Sequence, residues 1–517
     1  MDDRSPIEGA AGKPDGDVRS NEDLTQAAAA GLRWIAYARV AIEILLLGTM
    51  VLLARLIPPA AFGIFAVIII VQELAVTMPM EGVGGAIVQR RSVAREHLRA
   101  GLALTIATGL VLAAATLLAA ILVVGPLFGH EAEWLTMATT PYFLIGAIYA
   151  LPMAVLRRRL DFRRVSMIDV SQSATRGLAT LGLALIGLDA PALVFGAMAG
   201  MVVALVIALI FAPVPLPWWR TKAVRDLLPY GGPAAAATVA WTGFRNGDYA
   251  IVGAVLGPAQ AGFYWRGYQL AVEYQRKVAV AMVQIGFPVL ARTAGREELL
   301  ALRQRMVRLQ TVVLFPLLAM LLLLAPVVVP GLFGPAWEPA VLPTQILVLG
   351  GAATLVINAC GSALMAEGRT RALLGYGIAH FVFYAGSVLL VAGYGLAAVA
   401  IAGSVVHGIF LGVAYVVLLR GHVRSPLRVL WQDLAPATVA CAALFALAVP
   451  VDLGLASIGA PGLATIAGVG LAGALGYLVA LRIWFPASAH DLAAAIRRIL
   501  PSRIAFPRLR RTALAES

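Results

Sequence analysis

The chain has 517 residues, 61% of them hydrophobic and 13% charged, with a mean hydropathy of +0.87; a soluble domain carries roughly 25% charged residues, so a water-soluble fold is excluded. Its net charge of +13 would suggest nucleic acid in a soluble protein, but here the positive residues lie between long apolar stretches, so their placement speaks of membrane topology and no nucleic acid partner is expected. The two cysteines, Cys360 and Cys441, fall inside apolar stretches, which argues against a disulfide framework or a thiolate metal site.

Residues 1–31 are polar, with Asp2, Asp3, Asp15 and Asp17. They lack the basic start and small-residue cleavage site of a signal peptide and read as a disordered cytoplasmic head. A bilayer core takes about 20 mostly apolar residues per helix. Such stretches then follow almost without pause, at 33–56, 62–88, 98–124, 135–156, 168–188, 190–212, 230–256, 262–290, 307–331, 341–366, 372–393, 396–419, 434–456 and 461–484. The expected fold is an all-α polytopic membrane protein with about fourteen transmembrane helices.

Orientation follows from Lys and Arg, which are retained on the cytoplasmic side in short loops. With the N-terminus inside, cytoplasmic loops hold Arg90, Arg91, Arg95 and Arg99, then Arg157, Arg158, Arg159, Arg163 and Arg164, then Arg220, Lys222 and Arg225. The second half repeats this with Arg292, Arg296, Arg303, Arg305 and Arg308, then Arg369 and Arg371, then Arg420, Arg424 and Arg428, and finally the tail from Arg497 to Arg511. The opposite loops, around Pro58, Gly129, Asp189, Pro258, Gly334, Gly393 and Asp452, are free of both residue types. Both termini are therefore expected in the cytoplasm. Trp134, Trp265 and Trp337 fit an outer interfacial belt, and Trp34, Trp218, Trp219, Trp431 and Trp484 an inner one, with Trp241 deeper.

Two short motifs recur. Pro59-Ala-Ala-Phe-Gly63-Ile-Phe65 matches Pro258-Ala-Gln-Ala-Gly262-Phe-Tyr264, and Leu127-Phe128-Gly129 matches Leu332-Phe333-Gly334, at equivalent turns of the two halves. Such self-similarity is expected of duplicated transporters. The implied plan is a head over 1–31, a six-helix lobe over 32–212, a second over 213–420, two additional helices over 421–484, and a basic cytoplasmic tail over 485–517.

The segment Gly82-Val-Gly-Gly-Ala-Ile-Val-Gln89-Arg90, the run Leu156-Arg-Arg-Arg-Leu-Asp-Phe-Arg163-Arg164, the pieces Asn246-Gly-Asp248, Leu256-Gly257 and Gly262-Phe-Tyr264, and Phe287-Pro288 resemble bacterial polysaccharide flippases. These are the O-antigen and exopolysaccharide exporters of the multidrug/oligosaccharidyl-lipid/polysaccharide transporter superfamily. The resemblance covers about residues 30–485 and implies a two-lobed bundle around a cavity. It also implies an inner-membrane carrier moving an undecaprenyl-diphosphate-linked oligosaccharide to the outer leaflet.

An ionisable side chain at mid-bilayer costs at least ~2.5–3.5 kcal/mol and usually faces a cavity or a partner. Such residues gather on the first, second, seventh and eighth spans: Arg39 and Glu43, Glu73 and Glu81, Arg245 and Asp248, and Arg266, Glu273, Arg276 and Lys277; the fifth adds Arg176. The ninth, thirteenth and fourteenth read as uncharged in their cores. One reading makes Arg39, Arg176, Arg245, Arg266, Arg276 and Lys277 a cationic cavity for a diphosphate, which guanidinium groups pair bidentately. The other is local neutralisation, since Arg39 and Glu43, Arg245 and Asp248, and Glu273 with Arg276 and Lys277 are three or four apart. Arg266 is near enough to the outer surface to snorkel.

Glu43, Glu73, Asp248 and Glu273 are candidates to carry a coupling proton or cation, or to be structural partners of the arginines. His380 and His407 read as hydrogen-bonded interior histidines, and the run Arg157 to Arg164 as a topology determinant touching anionic headgroups of membrane lipids. No catalytic, cofactor or metal site is expected: Gly82-Val-Gly-Gly lacks a preceding strand and a P-loop lysine, and His130-Glu131-Ala-Glu-Trp134 lacks the second histidine of a zinc protease. A drug or cation antiporter of the same superfamily is the alternative, with a more acidic cavity. A polysaccharide polymerase or ligase would need a long outer loop.

Overall fold

Proline and glycine punctuate the helices. The computed structural model describes residues 21–279, 295–419 and 424–499; Phe287-Pro288, Arg292, Arg420 and the tail beyond 499 lie outside them. Helix α1 (Asn21–Leu56) ends before Pro58, and α2 (Pro59–Pro79) begins on the proline whose fixed φ suits a first helical position. It runs through a π-turn, Met80–Gly84, into Gly85–Gln89. There follow α3 (Arg95–Ala119), which runs into another π-turn, Ala120–Val124, a short helix His130–Ala138, α4 (Pro141–Arg158), α5 (Phe162–Leu185), α6 (Ala190–Phe211), α7 (Thr221–Leu256) and α8 (Pro258–Tyr268), which continues into a third π-turn, Gln269–Glu273. The rest is α9 (Arg296–Phe333), α10 (Val341–Ala366), α11 (Thr370–Val391), α12 (Leu396–Leu419), α13 (Pro426–Ser457), α14 (Gly462–Trp484) and α15 (Pro486–Ile499).

The described residues form helices and no strands, as expected. Eleven stretches among them are long and apolar enough to cross a membrane. Three expected spans, 168–188, 230–256 and 262–290, fall outside that set. Helices form over the first two, as α5 and α7, but Asp169, Gln172, Arg176, Arg245, Asn246 and Asp248 dilute their apolar character. The third lies partly outside the described residues.

Two compact units form. One holds the described residues up to Arg266 together with Val329–Ala340 and Ala385–Val399; the other holds Gly267–Val328, Val341–Tyr384 and the described chain from Ala400 onward. The first unit is built on a core of α4, α5 and α6, with Tyr142, Phe143, Met153, Ile168 and Met201. The second has two cores: α9, α10 and α12 meet around Val307, Cys360 and Tyr415, while α9, α13 and α14 meet around Val312, Leu444 and Tyr477.

The sequence repeat has a structural counterpart. In the first unit, α2 and α8 cross where the two copies of the Pro-x-x-x-Gly motif touch: a side chain on Gly63 would run into the carbonyl of Pro258, and one on Gly262 into the carbonyl of Pro59. Both helices can approach only because each presents bare backbone. Equivalent close approaches occur inside each half, Gly146 of α4 against Ala75 of α2 and Gly351 of α10 against Ala271. The turns at Gly129 and Gly334 likewise share a left-handed backbone, with φ of 89° and 100°.

Candidate functional site

Glu73 on α2 and Arg245 on α7 form an ion pair between helices, each about a quarter exposed at 23% and 24%. The same carboxylate accepts from Asn246 Nδ2 at 3.3 Å, and that amide also donates to the Thr242 carbonyl at 3.0 Å within its own helix. A pair this open is neither sealed in a core nor on the outer surface of a loop, so other charged groups can reach it. Asp248, one turn on, is differently placed: it is 3% exposed. Its Oδ1 accepts the Tyr249 N–H at 3.0 Å and its Oδ2 the Tyr264 hydroxyl at 3.1 Å. The ion pair of Arg245 thus runs across to α2, where its sequence spacing had suggested Asp248 on its own helix.

Elsewhere in the first unit, Arg39 pairs with Glu43 one turn along α1 at 3.3 Å, as their spacing allows, with the arginine largely exposed. Arg176 lies over the Phe65 ring at 5.6 Å. Asp169 on α5 lies within the fields of Arg157 and Arg39, a carboxylate in the fifth span that the sequence reading did not single out.

Arg266 does not snorkel to the surface. It is buried against four rings, with Phe62 at 4.2 Å, Trp265 at 5.0 Å, Trp337 at 5.9 Å and Phe333 at 6.0 Å. Desolvated cation–π contacts of this kind are worth about 2 kcal/mol or more. Trp265 and Trp337 are therefore core residues of the first unit, where the sequence placed them in an outer belt. Trp337 also donates its indole N–H to the Ala54 carbonyl at 2.8 Å. Arg55, at the same end of α1, donates to the Leu332 carbonyl at 2.9 Å and to that of Gly331. These contacts explain why Val329–Ala340 belongs with α1 and α2.

In the second unit, Arg276 donates to Glu273 at 2.7 Å, each about a fifth exposed, and Lys277 Nζ lies 5.0 Å from the Tyr274 ring centre. Glu273 ends the π-turn Gln269–Glu273 and Arg276 and Lys277 follow it, a local widening common at functional positions. His407 on α12 is hydrogen-bonded to the Gly403 carbonyl at 2.6 Å, as expected of an interior histidine. His380 on α11 stacks on Phe410 at 4.6 Å, its ring 5.1 Å from that of His407.

The sequence reading missed a buried charge cluster in this unit. Arg303 on α9 and Asp433 on α13, 2% and 0% exposed, pair at 2.9 Å. Tyr415 of α12 donates to the same carboxylate at 2.7 Å and its ring lies 4.9 Å from the guanidinium. From the arginine pattern alone, Arg303 reads as a cytoplasmic loop residue. The available signal was spacing: Leu299, Arg303, Val307 and Thr311 are all buried at intervals of four on α9, so a charge occupies a core-facing stripe.

A sequence profile of the family described as polysaccharide biosynthesis protein matches residues 52–342. Lipopolysaccharide biosynthesis protein WzxC of Escherichia coli (strain K12) is 25% identical over 359 residues, covering 67% of this chain and 71% of that one. Teichuronic acid biosynthesis protein TuaB of Bacillus subtilis (strain 168) is 23% identical over 334 residues, with coverage of 60% and 67%. Among solved structures, the lipid II flippase MurJ in an inward closed conformation superposes with a TM-score of 0.68 over 89% of this chain and 99% of its own, at 15% identity. An inward-facing multidrug resistance MATE family transporter of the MOP superfamily gives 0.59 over 76% and 95%, at 16% identity. The fold is thus shared with known transporters.

Proposed function

Because the chain belongs to the polysaccharide biosynthesis protein family, we propose that it is a flippase carrying undecaprenyl-diphosphate-linked oligosaccharide repeat units across a bacterial inner membrane, for lipopolysaccharide or exopolysaccharide assembly. Both termini lie in the cytoplasm in this reading, and the chain divides into two six-helix lobes and two further helices. The observation that carries it is the half-open pair of Arg245 and Glu73 on helices of a transporter fold. A diphosphate offers Arg245 a planar, bidentate partner with more charge than one carboxylate. When the cargo takes the guanidinium, Glu73 loses its counter-charge and takes up a proton or cation. Release of the cargo restores the pair and expels that ion, which couples the two movements.

Arg39 and Arg176 in the first unit are further candidates to meet the diphosphate, as are Arg276 and Lys277 in the second, and Glu43, Asp248 and Glu273 are further carriers for the coupling ion. Arg266 acts through its aromatic cluster, fixing Trp265 and Trp337. The test is deletion of the gene followed by analysis of lipid-linked intermediates. Repeat units should remain intact but inaccessible to reagents outside the inner membrane. If membranes holding this protein alone instead join sugars, the chain is an enzyme; if deletion changes drug resistance and leaves surface polysaccharide normal, it is an antiporter.

A further inference from the structure

The five arginines around the corner from α4 to α5 are not equivalent. Arg158 turns inward, donating to the carbonyls of Ile87 and Arg91 at 2.9 Å, of Val88 at 3.3 Å, and of Arg90. It staples the end of the Gly85–Gln89 segment to α4. Arg163 and Arg164 instead front an open pocket with Asp161, Met167 and Phe211. The turn that aims them is unusual: Leu160 has φ of 58°, a left-handed conformation that no other non-glycine residue among the described ones adopts. Asp161 then caps α5 by accepting the Arg164 N–H at 3.2 Å, and its other oxygen pairs with the Arg164 guanidinium at 3.2 Å.

Each guanidinium lies over an aromatic ring. Arg163 is 5.3 Å from the centre of Trp34 and Arg164 is 5.3 Å from that of Phe211. A ring beside a guanidinium holds it without using its N–H groups, so Arg163, and Arg164 beyond its bond to Asp161, can donate to phosphate oxygens. The location supplies the ligand. The apolar stretch from Tyr37 starts just after Trp34, and the stretches ending at Arg158 and Phe211 stop at the same place. Three spans that end at one pocket put it at the level of lipid headgroups, where an exposed tryptophan also belongs. Met167 and Phe211 give the pocket an apolar wall for the glycerol and first acyl carbons. Two guanidinium groups against one carboxylate leave it net positive.

We propose that this pocket binds the phosphodiester headgroup of an anionic bilayer phospholipid, separately from the cargo charges described above. The test uses the full-length protein in neutral detergent, titrated with phosphatidylglycerol or phosphatidylcholine and read by native mass spectrometry. At roughly 1 kcal/mol per basic residue near a lipid surface, the double variant Arg163→Gln/Arg164→Gln should bind the first phosphatidylglycerol about tenfold or more weakly. Phosphatidylcholine should bind weakly to both proteins, and the cargo-site variant Arg245→Gln should keep the phosphatidylglycerol affinity. Phe211→Leu removes one ring without touching charge and should weaken binding severalfold, so it carries the test if the double variant fails to fold. Unchanged affinity in a folded double variant, or in Phe211→Leu where the double variant does not fold, would overturn the site. So would equal binding of the two lipids. Displacement of phosphatidylglycerol by undecaprenyl diphosphate at substoichiometric amounts would overturn it in favour of a cargo docking site.

Discussion

Removing one member of a buried ion pair strands the other charge at a cost of about 3–5 kcal/mol, whereas replacing both with apolar residues is close to neutral. Arg303 and Asp433 are fully buried, so Arg303→Met or Asp433→Leu alone should lower membrane abundance and melting temperature, and the double variant should recover most of both. Equal losses in all three would mean that the network holds the helices by something other than charge. Arg245 and Glu73 are partly open, and screening reduces what their pairing contributes, so export separates the readings. Arg245→Gln/Glu73→Gln should stay inactive with near-normal abundance if Arg245 binds cargo, and Arg245→Lys should restore export only in part. Regained export in the double variant would leave the pair a structural one. Pairs along one helix, Arg39 with Glu43 and Glu273 with Arg276, could be read from spacing because the helix itself sets their distance. Arg245 with Glu73, and Arg303 with Asp433, could not: their partners lie on helices far away in sequence, and only packing decides which face meets which.

Helices in a membrane gain little from burying apolar surface against one another, so close packing carries more of their association. In the α5–α6 hairpin Gly196 lies against Thr180, and Gly200 against the Gln172 carbonyl; in the α13–α14 hairpin Gly476 lies against the Ala443 carbonyl. Overpacking such a contact costs about 1–3 kcal/mol or more. Gly63→Leu and Gly196→Leu should each cut folded protein severalfold in membrane fractions. Gly48→Leu, at a position with open space around it, should be tolerated; equal loss at all three would show that glycine matters there for the chain rather than the contact. Hydropathy made most helices legible, because a long apolar run leaves no other solution in a bilayer. It was least informative for α5 and α7, whose polar residues face partners. It misplaced Trp265 and Trp337, because an aromatic residue near the end of a span looks the same whether it meets headgroups or, as here, a buried arginine.

For the molecule as a whole, the arginine pattern makes a strong statement about topology. Reporter fusions at Pro59, Gly129, Gly334 and Gly459 should report the outer compartment, and fusions at Arg95, Arg163, Arg225, Arg303 and Ser517 the cytoplasm; any one of these sites reporting the opposite side would remove the proposed fourteen-helix arrangement. The repeat could be suspected from two short motifs, but not that the two copies of the Pro-x-x-x-Gly motif touch. A surface that meets its own copy is what a symmetric homodimer has at its axis, so the crossing at Gly63 and Gly262 has the form of such an interface, built within one chain. Within one chain the two copies need not be identical. Phe62, the ring closest to Arg266, corresponds to Ala261, and Phe65, beneath Arg176, corresponds to Tyr264, whose hydroxyl holds Asp248. A homodimer has the same side chain at both places; this single chain uses one copy to shelter a cation and the other to hold a carboxylate.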